Sequence, residues 1–152
     1  MLETGAVAPE FTLTADDGSQ VSLSDFRGKR VVIYFYPKAD TPGCTRQACA
    51  IRDVYPDFEG EDIAVIGISP DSPEALVKFR EKHNLPFTLL SDPDHQVAEA
   101  YGAWGEKKMF GKTSFGILRS HFGVDEEGRV MEYKLKVKPE TTADLAVKLI
   151  KL

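Results

Sequence analysis

The chain has 152 residues, of which 42% are hydrophobic, a size and composition typical of one globular domain. Its 24 acidic and 19 basic residues give a net charge of −5, which argues against nucleic acid as the main partner. The start of the chain lacks the basic and apolar regions of a secretion signal, and no apolar run is long enough to cross a membrane. We therefore expect a single domain over residues 1–152 in the cytoplasm, with no nucleic-acid or membrane partner.

Apolar runs and turn residues predict strands that alternate with helices along most of the chain. Strands are expected at 7–13, 21–23, 30–36, 63–69, 87–90, 117–124 and 129–135. Helices are expected around the two cysteines and at 72–84, 94–101 and 142–150, whereas 104–112 is interpreted as a loop. The run at 30–36 is almost entirely apolar, so it should lie buried on both faces at the centre of a sheet. This order predicts an α/β fold with an N-terminal β-hairpin and a mixed sheet flanked by helices on both faces.

Both cysteines lie in the helix predicted after the central strand. With successive residues about 100° apart around the axis, Cys44 falls in the middle of a stripe that should face the core. The other members of that stripe are Ala48, Ile51, Val54, Tyr55 and Phe58. Cys49 lies about 140° from Cys44, so it should face outward or into a shallow surface pocket. Because proline interrupts helical hydrogen bonding, the helix should kink or end near Pro56.

The spacing of the two cysteines limits how they can react with each other. On an intact helix their Cα atoms would be roughly 8–9 Å apart, whereas a disulfide needs less than about 7 Å. Cys44 and Cys49 can therefore pair only if the first turns of the helix unwind. Free N–H groups and the dipole at a helix start favour the thiolate form of a cysteine, which indicates redox or nucleophilic chemistry at Cys44.

The residues around Cys44 resemble the signature of the peroxiredoxins. Pro37, Thr41 and Cys44 have the spacing Pro-x-x-x-Thr-x-x-Cys. Cys49 follows five residues after Cys44, an arrangement that resembles the Q type, the bacterioferritin comigratory proteins. Further segments similar to that family occur in the family's order, at 5–11, 68–71, 101–107 and 119–125.

The resemblance implies a thioredoxin fold with an N-terminal extension and a cofactor-free enzyme that reduces peroxides with thiols. Cys44 would be the peroxidatic cysteine, whose thiolate attacks hydrogen peroxide or an alkyl hydroperoxide and becomes a sulfenic acid. Cys49 would resolve it through an intramolecular Cys44–Cys49 disulfide that a thioredoxin-like reductant resets. Thr41 would hydrogen-bond the peroxide and the thiolate, Pro37 would shield the pocket from water, and Arg119 would supply the cation that holds the thiolate.

Other interpretations stay open at this point. A thiol–disulfide oxidoreductase on the same fold is one, although the chain lacks the Cys-x-x-Cys pair typical of that class. A non-enzymatic redox-sensing interaction protein is another. Within a peroxidase, Arg46 or Arg52 could be the cation near the thiol instead of Arg119.

The remaining expectations concern metals, assembly and one strand. The dispersed histidines and the two cysteines lack the spacing of a structural zinc site, so no metal is expected. We expect a monomer or a weak homodimer. After Arg119 the sequence departs from the family pattern: His121 is interpreted as an exposed strand residue, and Gly123 as a weak point or bulge in the strand.

Overall fold

The computed structural model describes residues 2–57 and 63–150, and this part of the chain contains nine strands and four α-helices. The strands are β1 (Thr12–Ala15), β2 (Gln20–Ser22), β3 (Arg30–Phe35), β4 (Ile63–Ser69), β5 (Thr88–Ser91), β6 (Trp104–Met109), β7 (Lys112–Ile117), β8 (Ser120–Val124) and β9 (Val130–Lys134). The helices are α1 (Pro42–Val54), α2 (Pro73–His83), α3 (Gln96–Ala100) and α4 (Thr141–Ile150). None of the described helices is long and apolar enough to span a membrane.

Seven strands form one mixed sheet in the order β2-β1-β5-β4-β3-β8-β9. β4 runs parallel to both β3 and β5, and the other neighbours are antiparallel. Parallel neighbours need a crossover connection, which contains α1 between β3 and β4 and α2 between β4 and β5. The prediction of a central strand is confirmed, because β3 lies between β4 and β8 and residues 31–35 are at most 1% exposed.

Side chains of β3 alternate between two hydrophobic layers. Tyr34 points into the layer that contains buried residues of α1, α2 and α4. Phe35 points into the opposite layer, which contains α3 and residues near the N-terminus. Helices therefore cover both faces of the sheet, as predicted. Each large apolar side chain buried in this way contributes about 1.5–3 kcal/mol, so β3 provides a firm base for the loop and helix that follow it.

The N-terminal hairpin is present, but its first strand starts later than predicted. β1 begins at Thr12 and pairs with β2, whereas the prediction began at residue 7. The residues before Pro9 pair elsewhere, since Ala8 N–H donates to Gly128 O at 2.9 Å. Pro9 has no N–H to donate and separates the two pairings.

The prediction of a loop at 104–112 is wrong. β6 and β7 form a separate two-stranded antiparallel sheet joined at Phe110 and Gly111. These turn residues have φ of 54° and 76°, the positive values that a tight hairpin turn requires. The sequence of this stretch lacks the alternation of apolar and polar residues that predicts a strand. β7 is largely exposed, so charged residues and glycines can occupy its positions. The strand predicted at 117–124 also starts later than expected. Ile117 is the last residue of β7, and β8 begins at Ser120.

The predicted end of the cysteine helix is confirmed. α1 stops at Val54, and Pro56 lies in the 3-10 turn Tyr55–Asp57 that follows. Ala48 and Ile51 are fully buried, as the predicted stripe requires. Phe58, the last member of that stripe, lies outside the described residues.

The bulge expected at Gly123 is also confirmed, because the pairing of β8 with β9 shifts register between Gly123 and Val124. Leu149 of α4 packs against this glycine. A β-carbon at position 123 would lie 3.2 Å from Leu149 Cδ1, so a larger residue here would push α4 away from the sheet.

Candidate active site

Cys44 is the third residue of α1, which begins after the short loop 37–41. Its side chain is 1% exposed and packs in the layer of α1, α2 and α4. Thr41 is the N-cap, and Pro42 occupies the first helical position. An N–H at that position has no carbonyl partner within the helix, so proline costs no helical hydrogen bond there. The N–H groups of Gly43 and Cys44 have no helical carbonyl one turn earlier, so they can stabilise negative charge at the helix start.

Arg119 approaches the thiol from the link between β7 and β8. Its Nη2 lies 3.4 Å from Cys44 Sγ, and its Nη1 donates to Gln47 Oε1 at 2.6 Å. The guanidinium lies against the first turn of α1, since a β-carbon on Gly43 would be 3.0 Å from Arg119 Nη2. Glycine at this position therefore makes room for the cation beside the sulfur.

Arg46 and Arg52 are engaged elsewhere. Arg46 forms an exposed ion pair with Glu140 at 3.0 Å. Arg52 donates from Nη1 to His83 O at 2.8 Å and pairs with the neighbouring Asp53. Among the described residues, Arg119 is thus the arginine that contacts the thiol.

Thr41 and Pro37 lie in the loop before the helix, both half-buried. The Thr41 hydroxyl donates to Lys38 O at 2.7 Å rather than to the thiol. Its oxygen can still accept a hydrogen bond, so in this conformation Thr41 can receive a peroxide O–H but cannot also donate to the thiolate. Pro37 follows the last buried residues of the β3 segment.

Asp71 holds this loop in place, a role that the sequence did not reveal. Its Oδ2 accepts from Ala39 N–H at 2.7 Å and from the Ser69 hydroxyl at 2.7 Å. The sequence identifies the segment 68–71 only as a motif similar to that of the family. Its function in the fold is to connect the end of β4 to the loop before Cys44.

Asp40 forms a second anchor for the loop. It has a φ of 61°, a left-handed conformation that aspartate tolerates better than most residues. Its carboxylate contacts Lys82 at 2.9 Å and His83 at 3.3 Å, at the end of α2. Hydrogen bonds from Lys82 and then His83 lower the pKa of the Asp40 carboxyl.

A buried chain of polar side chains extends from the thiol towards α4. Gln47 Nε2 donates to Thr142 Oγ1 at 3.0 Å, and His121 Nδ1 lies 3.1 Å from the same oxygen. Gln47 and Thr142 are fully buried. Helical spacing places Gln47 near the face of Cys44, but a glutamine in a helix usually indicates a solvent-facing position.

The interpretation of His121 as an exposed strand residue is wrong, since its side chain is 3% exposed. α4 covers this part of β8 and supplies Thr142 as a partner. Burial lowers the pKa of His121 to about 4; nearby Glu132 acts in the opposite direction, and Lys134 lowers it further. The imidazole is therefore neutral at physiological pH.

Cys49 is half-buried in the middle of α1, and both cysteines are free thiols. α1 is unbroken from Pro42 to Val54. The predicted separation of the two thiols in the folded helix is consistent with this arrangement. Cys44 is part of the core layer on the α1 face of the sheet, whereas Cys49 is not.

Comparison with known proteins identifies the family. A model of the AhpC/TSA family matches residues 4–133. The chain belongs to the AhpC/TSA family. Peroxiredoxin Bcp of Escherichia coli K12 is 54% identical over 129 residues, which cover 85% of this chain and 83% of that protein. Peroxiredoxin Bcp of Bacillus subtilis is 49% identical over 150 residues, which cover 99% of this chain and 96% of that protein.

A solved structure agrees with these relatives. The bacterioferritin comigratory protein of Xanthomonas campestris superposes with a TM-score of 0.88 and 34% identity, covering 99% of this chain and 96% of that one. The predicted thioredoxin fold and Q-type resemblance are confirmed. The protein is a peroxiredoxin, an oxidoreductase with thiol peroxidase activity.

A positively charged cavity opens beside the site of this peroxiredoxin. It has a volume of about 320 Å³ and is lined by Glu106, Lys107, Lys108, Leu118, Arg119, Lys136 and Val137. Burial lowers the pKa of the Lys107 ammonium, and the charge of Arg119 lowers it further. The described residues include no group of three or more histidine, cysteine or acidic side chains placed to hold a metal ion.

Proposed function

We propose that Cys44 is the peroxidatic cysteine of this peroxiredoxin, with Arg119 as the cation that activates its thiolate. The observation that carries the proposal is the 3.4 Å contact between Arg119 Nη2 and Cys44 Sγ. A guanidinium held there favours the charged form of the sulfur. It is also placed to stabilise the negative charge that moves onto the peroxide in the transition state.

The proposed reaction is a two-electron oxidation of sulfur. The Cys44 thiolate attacks one peroxide oxygen, an S–O bond forms and the O–O bond breaks. The departing hydroxide or alkoxide takes a proton and leaves as water or an alcohol, and Cys44 becomes a sulfenic acid. Arg119 and the free N–H groups of Gly43 and Cys44 would donate hydrogen bonds to the reacting oxygens, while the Thr41 hydroxyl would accept a hydrogen bond from the peroxide O–H. Pro37 would exclude water from the pocket.

Cys49 is proposed to resolve the sulfenic acid. Its thiolate attacks the Cys44 sulfur, the S–S bond forms, and hydroxide leaves and is protonated to water. Since α1 is continuous between the two cysteines, its first turns must unwind before the sulfurs can meet. A thioredoxin-like dithiol would then reduce the disulfide and restore both thiols.

Two observations support the finer parts of the proposal. The cavity of about 320 Å³ beside Arg119 has room for more than hydrogen peroxide, and the X. campestris relative has been studied for alkyl peroxide reduction. We therefore include alkyl hydroperoxides among the substrates.

We propose further that the protein acts as a single domain, as a monomer or weak homodimer, in the cytoplasm, where thiols stay reduced. No nucleic acid, membrane or cofactor takes part.

Mass spectrometry after one equivalent of peroxide tests the mechanism. The wild-type protein should lose two hydrogens, with Cys44 and Cys49 joined in one peptide. Cys44→Ser should consume no peroxide. Cys49→Ser should gain one oxygen on Cys44 and then stop cycling with thioredoxin.

Two outcomes would contradict the proposal. Peroxide consumption retained by Cys44→Ser would exclude Cys44 as the nucleophile. Normal cycling of Cys49→Ser would show that the resolving thiol comes from elsewhere. An insulin-reduction assay on the same samples should show no turnover, which separates this activity from that of a thiol–disulfide oxidoreductase.

A further inference from the structure

The hydrogen bonds behind Cys44 have a fixed direction. Arg119 can only donate, so Gln47 Oε1 is the acceptor at 2.6 Å and Gln47 Nε2 must donate to Thr142 Oγ1. We assign the proton of the Thr142 hydroxyl to His121 Nδ1, 3.1 Å away. This assignment places the ring proton of the neutral imidazole on Nε2. The chain thus runs in one direction, from the guanidinium on the thiol to a neutral histidine under α4.

Burial makes this chain sensitive to the loss of any member. Gln47 and Thr142 are 0% exposed and His121 is 3% exposed, so water cannot readily replace a missing partner. A buried amide that loses one partner is left unsatisfied or turns to find another. If the Gln47 amide turned, its Nε2 would face Arg119, and a donor would meet a donor.

Resting on the proposed role of Cys44, we infer that Thr142 and His121 are positioning residues of the peroxidatic site. They act through Gln47, which they hold with its oxygen towards Arg119, so that the other end of the guanidinium stays on the sulfur. The contact is indirect, since neither Thr142 nor His121 touches the thiol. Their effect is on the orientation of the cation.

The same chain also ties α1 to its folded position. Gln47 lies between Cys44 and Cys49, so the unwinding that lets the two sulfurs meet must move Gln47 away from Arg119 and Thr142. Among the described residues, the Arg46–Glu140 ion pair also links the start of α1 to the segment before α4, and its side chains are 59% and 60% exposed. An exposed pair of this kind contributes little. The buried hydrogen bonds therefore delay unwinding and give peroxide time to react.

Paired variants test the inference. Thr142→Val removes the hydroxyl and keeps the shape, while Thr142→Ser keeps the hydroxyl. His121→Phe removes the acceptor, while His121→Asn retains an acceptor near the position of Nδ1. Ala146→Gly is the control, because it destabilises α4 at a buried position and removes none of the polar side chains of the chain.

Three measurements are made on each variant. In a Cys49→Ser background, the thiolate of Cys44 is titrated by its ultraviolet absorbance, and its oxidation by hydrogen peroxide is followed in a single turnover. With Cys49 present, the rate of disulfide formation after oxidation is measured. Thermal unfolding reports the loss of stability.

We expect Thr142→Val and His121→Phe to move the thiolate titration to higher pH and to slow oxidation by roughly tenfold, the effect of losing one buried hydrogen bond. Disulfide formation should become faster. Thr142→Ser and His121→Asn should remain close to wild type. Ala146→Gly should unfold at a lower temperature with an unchanged titration and oxidation rate.

The inference is overturned if Thr142→Val keeps the wild-type titration and oxidation rate, or if Ala146→Gly changes them equally. Unchanged or slower disulfide formation in Thr142→Val would overturn the role in holding α1 folded. Failure of the proposed function is a different result, since the wild-type protein itself would then show no oxidation of Cys44 by peroxide.

Discussion

Gln47 Oε1 accepts a 2.6 Å hydrogen bond from Arg119 Nη1, while Nη2 of the same guanidinium lies 3.4 Å from Cys44 Sγ. Because the guanidinium is planar and rigid, fixing one amino group at Gln47 fixes the direction of the other. The residue that aims the cation is thus on α1, three positions after the thiol that the cation serves. Moving the first turns of α1 would displace the sulfur and the acceptor together.

Gln47→Met tests this relationship, because methionine has a similar length and makes neither hydrogen bond. We expect the oxidation of Cys44 to slow by roughly 10- to 30-fold, or about 1.4–2 kcal/mol, since Arg119 loses its orienting acceptor. The free energy of unfolding should fall by about 1–3 kcal/mol, because the hydroxyl of Thr142 and the guanidinium each lose a buried partner. Stopped-flow oxidation and urea unfolding measure the two effects.

Gln20→Met provides the matched control for this variant. Gln20 is an exposed residue of β2 whose amide donates to Thr14 at the surface. Its replacement should leave both the oxidation rate and the stability close to wild type. If Gln47→Met also reacted at the wild-type rate, Arg119 would be held in place without the glutamine.

Gly43→Ala tests whether the position of Arg119 affects the oxidation of Cys44 independently of the stability of the protein. Alanine is favoured over glycine in a helix by at most about 1 kcal/mol, so this gain should offset part of the cost of displacing Arg119 and the protein should stay folded. The new β-carbon would lie 3.0 Å from Arg119 Nη2 and push the cation from the sulfur. We expect slower peroxide oxidation in a folded protein, measured by single-turnover kinetics beside thermal unfolding.

A double-variant cycle identifies the cause of that loss. In an Arg119→Ala background, Gly43→Ala should have almost no further effect on the oxidation rate, because the group that it displaces is gone. Equal effects of Gly43→Ala in both backgrounds would place its action outside the contact with Arg119.

Elements with a strong local signal were predictable from the sequence. The uniform apolar run of β3 indicated a buried central strand, and Pro56 marked the end of α1, because each depends on residues adjacent in the chain. The hairpin of β6 and β7 lacked such a signal. Its exposed strands do not need apolar alternation, and its turn at Phe110–Gly111 does not have one of the strongest hairpin sequences.

The residues of the site likewise differ in how well the sequence predicts them. Cys44 is predicted from its position at a helix start and from family motifs, and Arg119 from those motifs alone, whereas the partners that orient them come from distant parts of the chain. Gln47 meets Thr142 across 95 positions, and Ala39 meets Asp71 across 32. A polar residue is buried only when such a partner exists in the fold, so the sequence alone could not distinguish these residues from surface ones.

Asp71→Ala should loosen the loop before Cys44. Asp71 Oδ2 is the acceptor for Ala39 N–H and for the Ser69 hydroxyl, and hydrogen bonds to a charged acceptor contribute about 1.5–3 kcal/mol. We expect faster hydrogen exchange at the Ala39 amide and a several-fold slower oxidation of Cys44, with α1 still folded. Asp94→Ala, an exposed change after β5, is the control and should alter neither. An Ala39 amide that exchanges at the wild-type rate in Asp71→Ala would show that the loop is held by other contacts.

The lowered pKa of the buried His121 should make the stability of the protein depend on pH. The pKa of this histidine is lowered to about 4 in the folded protein, from 6.5, mainly by burial. Between about pH 6.5 and about pH 4, His121 binds a proton in the unfolded chain but not in the folded protein. The free energy of unfolding therefore decreases as the pH falls through this range. The full loss is up to about 3 kcal/mol. Charged and titratable groups around the imidazole are Glu132 and Lys134 of β9, Asp144 and Lys148 of α4, and Tyr34 of β3.

His121→Asn isolates this contribution, because asparagine can accept from Thr142 but does not titrate. Urea unfolding under reducing conditions, repeated from neutral pH to about pH 4, should give a shallower loss of stability for the variant than for the wild-type protein. At neutral pH and above the two curves should run parallel, which serves as the internal control. Acidic side chains titrate in both proteins and cancel in the difference. Identical slopes throughout the acidic range would mean that His121 takes up its proton equally well in the folded protein, and that its ring is not held as a neutral acceptor.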